Sequence, residues 1–129
     1  MKIETIGTSK APKAIGPYSQ AKSYGKFVFT SGQLGINQET GQMAPSIEEQ
    51  TEQVINNLKA VLESAGSSIE LVIKTTVFLS DMNDFAKMNM VYEKHFISKP
   101  ARSTVQVARL PKDTKVEIDA VAVSEPPHR

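Results

Sequence analysis

Residues 100–123, PARSTVQVARLPKDTKVEIDAVAV, decide how this chain folds. Two β-branched, alternating runs flank LPKDT, whose proline and short polar residues read as a turn. The spacing predicts two strands forming a closing hairpin, with the turn near Pro111 to Thr114. In the first strand Arg102, Thr104 and Gln106 share one face, while Val105 and Val107 share the other. In the second, Val116, Ile118, Ala120 and Ala122 lie opposite Glu117. An arginine and a carboxylate therefore stand inside the most strand-like part of the sequence, where a strand that only feeds a core has use for neither. In a hairpin Glu117 faces about Val107 to Arg109, and Arg102 lies about six residues further on, roughly 20 Å away at about 3.3 Å per residue. Within one hairpin the two cannot hold one small molecule. A site that uses both draws them from different subunits.

Working outward, Ile3 to Ile6 reads as a first strand, and APKAIGPYSQ, with two prolines and a glycine, as a loop. SQAKSY and KFVFTSG read as a hairpin around Gly25. QLGINQETGQMAP is turn-rich. Ser46 and Glu49 have capping-box spacing, in which each side chain satisfies a free backbone N–H. Val54, Ile55, Leu58, Val61, Leu62 and Ala65 then recur at helical intervals up to Gly66, a natural stop. LVIKTTVFLSD reads as a strand. A second helix runs from about Asn83 to Phe96, with Phe85, Met88, Tyr92 and Phe96 on one face.

The order β-β-β-α-β-α-β-β predicts an α+β fold: a single mixed β-sheet of five or six strands with two helices packed on one face. The chain reads as one domain over 1–129, with about 124–129 as a loose tail. No third helix remains to cover the sheet's other face, so self-association is expected there.

Composition narrows the function. The chain has 129 residues, 40% apolar and 22% charged, as befits one globular domain. Its net charge of +1 and scattered basic residues give no nucleic-acid footprint. Without cysteine there is neither disulfide framework nor thiolate chemistry. No apolar run matches a signal peptide or a membrane span, so a cytoplasmic location with no membrane partner is expected.

Several residues carry two readings. Arg102 is either a surface or interface ion-pair partner or a guanidinium fork for a substrate carboxylate. Glu117 is solvated, paired with Arg109 across the hairpin, or a carboxylate that orients and deprotonates a water. Tyr18 is a packing residue with a wet hydroxyl or a ligand contact. Ser31-Gly32 is plain turn geometry or a place where backbone N–H groups approach an anion. Asn89 interrupts the apolar face of the second helix, which suits a hydrogen-bonding role. His95 and His128 are isolated, so no metal site is expected. Met82, Met88 and Met90 read as core or interface filler. The residues alone reach a small oligomer with an anion site between subunits, and no reaction.

Five blocks, APKAIGPYSQ, FTSGQLG, KTTVFLSDMNDF, PARSTVQVARLPKD and VEIDAVAV, together resemble the RidA (YjgF-like) family of reactive-intermediate deaminases, over about residues 10–123. The resemblance implies a fold like the Bacillus-type chorismate mutase, assembled as a homotrimer with the sheets facing inward and clefts between neighbouring subunits. It implies a cofactor-free enzyme hydrolysing 2-iminobutanoate and 2-iminopropanoate to 2-oxo acids and ammonia. By the same resemblance Arg102 clamps the substrate carboxylate and Glu117 holds the attacking water. Tyr18, Ser31, Gly32 and Asn89 line the cleft, and Thr104 occupies a position where many members carry cysteine. That threonine excludes any role needing a thiol there and bears on substrate range, while imine hydrolysis needs no nucleophilic side chain. Two other functions compete: a non-catalytic binder of small carboxylates, and the ribonuclease or translation-inhibitor activity attributed to some members, against which the lack of a basic patch and of a histidine pair argues.

Overall fold

The computed structural model describes residues 1–125. Four short strands open the chain: β1 (Ile3–Ile6), β2 (Ala21–Tyr24), β3 (Phe27–Thr30) and β4 (Gln33–Leu34). Then follow α1 (Ile47–Ser64), β5 (Val72–Leu79), α2 (Phe85–His95), β6 (Ala101–Gln106) and β7 (Val116–Val123). All seven strands make one sheet in the order β1-β2-β3-β7-β5-β6, with β4 also pairing with β7. Only β5 and β6 are parallel, as their helical crossover α2 requires. A mixed sheet with two helices on one face is the architecture expected from the sequence, with β4 as a further strand.

The closing hairpin does not form. β5 lies between β6 and β7, parallel to the first and antiparallel to the second. The cause is burial. β7 is apolar along one whole face, with Val116, Ile118, Ala120 and Ala122 at most 2% exposed, so it takes a central position under the helices. β6 has no fully buried residue and takes the edge. Arg109, offered as a cross-strand partner for Glu117, instead grips Asp113 with two N–H donors at 2.7 and 3.1 Å.

α1 forms where its signals stand. The Ser46 hydroxyl accepts the Glu49 N–H at 3.1 Å, and donates to the Glu49 carboxylate at 3.0 Å rather than leaving that carboxylate to the Ser46 N–H. Gly66 adopts φ 77°, letting the Gly66 and Ser67 N–H groups return to the Glu63 and Leu62 carbonyls. Val54, Ile55, Leu58, Val61 and Leu62 are wholly buried, each stabilising the fold by about 1.5–3 kcal/mol before entropy. α2 starts two residues later than expected, because Met82–Asp84 forms a 3₁₀ turn capped by Asp81. Met88, Val91, Tyr92 and Phe96 enter the core, with Tyr92 and Phe96 stacked at 4.3 Å, whereas Met82 and Met90 lie on the surface.

The sheet's other face carries Tyr24, Phe27, Phe29 and Val105, each between 43% and 50% exposed. At the C-terminal end the Ser124 and Glu125 N–H groups bond the Lys26 and Gly66 carbonyls. The rest of the expected tail, 126–129 with His128, lies outside the described residues. No helix among the described residues is long and apolar enough to cross a membrane.

Candidate functional site

The site begins with a misfit in strand pairing. From Phe29 to Gln33 the chain takes four steps, while its partner takes three, from Val121 to Ile118. The extra residue makes a β-bulge at Ser31-Gly32, opposite Asp119 on β7, a device that re-aims side chains at sheet rims. The Ala120 N–H donates to the Thr30 hydroxyl at 3.0 Å, which bridges the gap. The Ser31 N–H donates to the Gln20 carbonyl at 2.9 Å, and its hydroxyl to the Ser19 carbonyl at 2.5 Å.

Beside the bulge opens a cavity of about 570 Å³, whose walls include Tyr18, Ser31, Gly32 and Glu117. Tyr18 is half exposed in the loop that roofs it. That loop hangs on Gln20, a buried side chain that accepts the Thr8 N–H at 2.7 Å and donates to the Thr8 and Pro12 carbonyls at 3.1 and 2.8 Å.

Glu117 is half buried on β7. Burial pushes its carboxyl above the usual carboxylate range, and the neighbouring Asp119 pushes it further. Among the described residues no lysine, arginine or histidine pairs with it. Gly32 is what leaves it room: a Cβ there would meet the Glu117 carboxylate and stand 2.6 Å from its Cδ.

Arg102 belongs to a second half-site. One guanidinium N–H donates to the Asn89 side-chain oxygen at 2.7 Å, and the cation lies 4.7 Å from the Tyr92 ring centre and 5.6 Å from that of Phe85. Burial raises the Tyr92 phenol, and its bond to Thr75 and the nearby arginine counter that only in part. Thr104, two residues along the same face, has a buried hydroxyl with no partner among the described residues, which costs about 1–3 kcal/mol unless something else supplies one. A hollow of about 570 Å³ opens beside Arg102, lined also by Tyr92, Glu93, Phe96, Ile97, Lys99 and Pro100, so that a carboxylate shares it with the two cations.

The two groups lie on opposite faces of one sheet. Arg102 stands level with Thr75, which is buried against Tyr92, on the helix side. Glu117 alternates with core residues Val116 and Ile118 and so faces away from the helices. Glu117 stands level with Phe78, three residues along β5 from Thr75 and one strand further across, which puts the two Cα atoms roughly 14 Å apart. Four of the seven sequence-selected residues (Tyr18, Ser31, Gly32, Glu117) share one cavity, and Asn89, Arg102 and Thr104 gather at the other half-site.

Sequence reasoning missed Gln20 and Gln50. Gln50 is buried on α1, donates to the Ala44 carbonyl at 3.0 Å and accepts the Lys115 N–H at 2.8 Å, fixing β7 two residues before Glu117. Its signal was a polar residue at core spacing on α1, between Ile47 and Val54.

Fold and site together define a class: a small α+β chain with an arginine-bearing and a carboxylate-bearing half-site on the two faces of one sheet. A family model described as endoribonuclease L-PSP matches residues 8–124. A RutC family protein of Pyrococcus abyssi is 55% identical over 127 residues, covering 97% of this chain and all of that protein. The 2-iminobutanoate/2-iminopropanoate deaminase of Escherichia coli K12 is 48% identical over 124 residues, covering 93% of this chain and 97% of the enzyme. The crystal structure of E. coli TdcF with bound serine superposes with a TM-score of 0.91 at 46% identity, covering 95% of this chain and 99% of that one. The chain belongs to the endoribonuclease L-PSP family, the RidA/YjgF family.

Proposed function

We propose that this protein hydrolyses 2-imino acids such as 2-iminobutanoate and 2-iminopropanoate to 2-oxo acids and ammonia. In this reading it works in the cytoplasm, without a cofactor, at clefts between the subunits of a chorismate-mutase-like homotrimer whose sheets face inward. The observation that carries the reading is the division of the site: Arg102 and Glu117 lie on opposite faces of one sheet, and neither has an ion-pair partner among the described residues. Two copies packed face to edge would bring one chain's Glu117 to another's Arg102. The 48% identity to a deaminase of these two imines supports the reaction, and a bound amino acid in TdcF supports a site for a small carboxylate.

The chemistry follows from the groups present. Arg102, oriented by Asn89 and backed by the Tyr92 ring, offers a planar fork for the substrate carboxylate. That bond fixes which face of the C=N group meets the water. Ionised Glu117 takes a proton from water as the water oxygen bonds to the imine carbon, the C=N π pair moves to nitrogen, and nitrogen takes a proton from solvent. The raised proton affinity of Glu117 suits it to return its own proton to nitrogen. The C–N bond then breaks, ammonia leaves, and the hydroxyl proton passes to solvent as the C=O bond forms.

The test uses threonine dehydratase to generate the imine and semicarbazide to trap it. Wild type suppresses trapping, and Arg102→Ala and Glu117→Gln each fail alone. Co-refolded in equal amounts, the two variants regain about one quarter of wild-type activity, because about that fraction of clefts pairs an intact Glu117 with an intact Arg102. No recovery on mixing places both residues in one chain's site and refutes the shared cleft. Binding of pyruvate without turnover by wild type would instead favour the non-catalytic carboxylate binder.

A further inference from the structure

The Glu117 cavity holds two cations that imine hydrolysis does not use. Lys13, from the loop that roofs it, and Lys112, from the connection between β6 and β7, both line it. Neither pairs with a carboxylate among the described residues. Glu117 shares the cavity wall with them and is paired with neither. Lys112 is also held in an unfavourable backbone. It and Asp113 are consecutive left-handed residues, at φ 56° and 57°, a conformation that aspartate tolerates and lysine disfavours. The turn is clamped by Arg109 on Asp113, and by the Asp113 and Thr114 N–H groups on the Leu110 and Pro111 carbonyls.

Size agrees with charge. On the single chain the cavity measures about 570 Å³, which leaves room beside a neighbouring copy for a ligand longer than the seven non-hydrogen atoms of 2-iminobutanoate. A short alkyl side chain calls for neither that room nor two ammonium groups. Deepening the deaminase reading, on which this rests, we infer that the cavity takes 2-imino dicarboxylates, whose side chain ends in a second carboxylate held by Lys112 and Lys13. The α-carboxylate goes to the Arg102 of a neighbouring copy, and the imine carbon lies at Glu117 between the two anchors. The reaction is unchanged: water's oxygen replaces nitrogen on carbon, and ammonia leaves with two of its protons from water.

The experiment compares 2-iminosuccinate with 2-iminobutanoate, each made in place by a flavin amino-acid oxidase from aspartate or 2-aminobutanoate and trapped by semicarbazide. The readout is the ratio of kcat/KM for the two, which misfolding alone leaves untouched. Lys112→Asn keeps a residue tolerant of the left-handed turn, and Lys112→Arg keeps the charge. Wild type favours the dicarboxylate. Lys112→Asn lowers the ratio by about fivefold, the scale of one exposed ion pair, through KM. Lys13→Met with Lys112→Asn lowers it further, and Lys112→Arg restores it. A ratio unchanged by the double variant, with 2-iminobutanoate still hydrolysed, overturns the inference and leaves the deaminase reading standing. Hydrolysis of neither imine overturns both.

Discussion

Gly32→Ala isolates the contact on which the role of Glu117 depends. The added Cβ would lie 2.6 Å from the Glu117 Cδ and 2.8 Å from its Cγ. Carbon atoms rest at about 3.5–4.0 Å, so the carboxyl must retreat by about 1 Å. It is free to do so, being half buried and unpaired among the described residues, and Gly32 has no left-handed backbone to defend. The fold therefore loses no more than about 1 kcal/mol, the low end of overpacking. Catalysis loses far more, since a misplacement of about 1 Å at a reacting group costs about 100-fold. The control is Gly35→Ala, where the new Cβ meets the Gln50 Cβ at 2.7 Å and its backbone Cα at 2.8 Å. A helix backbone cannot swing aside, so this variant loses about 2–3 kcal/mol, or roughly 6–12 °C in Tm. The imine-trapping assay and thermal melts separate the two effects. If Gly32→Ala melts like wild type and keeps more than about a third of its kcat, the placement of Glu117 is not what drives the reaction.

The raised carboxyls give two pH predictions. If ionised Glu117 is the base, the acid limb of kcat/KM lies above the ordinary carboxylate range. Asp119→Asn, which removes the second cause of the shift, moves that limb to lower pH; a limb that stays put refutes the assignment. For stability, a carboxyl raised by folding binds its proton more tightly in the native state, so stability falls as pH rises from the unfolded value through the folded one. Glu117→Gln and Asp119→Asn should therefore raise the denaturant midpoint at neutral pH, with the gain vanishing in acid where both carboxyls are protonated. Unequal gains that persist in acid would trace the effect to packing instead.

What the sequence made legible was local. Ser46, Glu49 and Gly66 announce α1 because caps and stops act within a turn of the residues that carry them. Strand alternation correctly put Arg102, Thr104 and Gln106 on one face, and set Glu117 against Val116 and Ile118. Alternation does not say which strand lies alongside which. The pairing of β7 with β5 rather than β6 was settled by how much apolar surface each strand offers the helices, a comparison across the whole sheet. The bulge at Ser31-Gly32 escaped for the same reason: it exists only relative to Asp119 on a distant strand. Gln20 and Gln50 were passed over because a glutamine reads as surface until its backbone partners are known.

These corrections change why two subunits are needed. Hairpin distance argued that Arg102 and Glu117 could not meet. The observed sheet gives a stronger reason, because no side-chain movement carries one through the sheet to the other. Each half-site is also incomplete on its own: among the described residues Glu117 has no ion-pair partner, and the Thr104 hydroxyl is buried without a hydrogen-bond partner. The face that bears Glu117 carries the exposed Phe27 and Phe29 as well, so the surface that gains by leaving water is the one that bears the carboxylate. Each ring is already about half buried, so covering the rest contributes roughly 1 kcal/mol, which works against the cost of desolvating the carboxyl. In the proposed assembly, packing and catalysis draw on the same contact, and a chain of this size needs no deep cleft of its own.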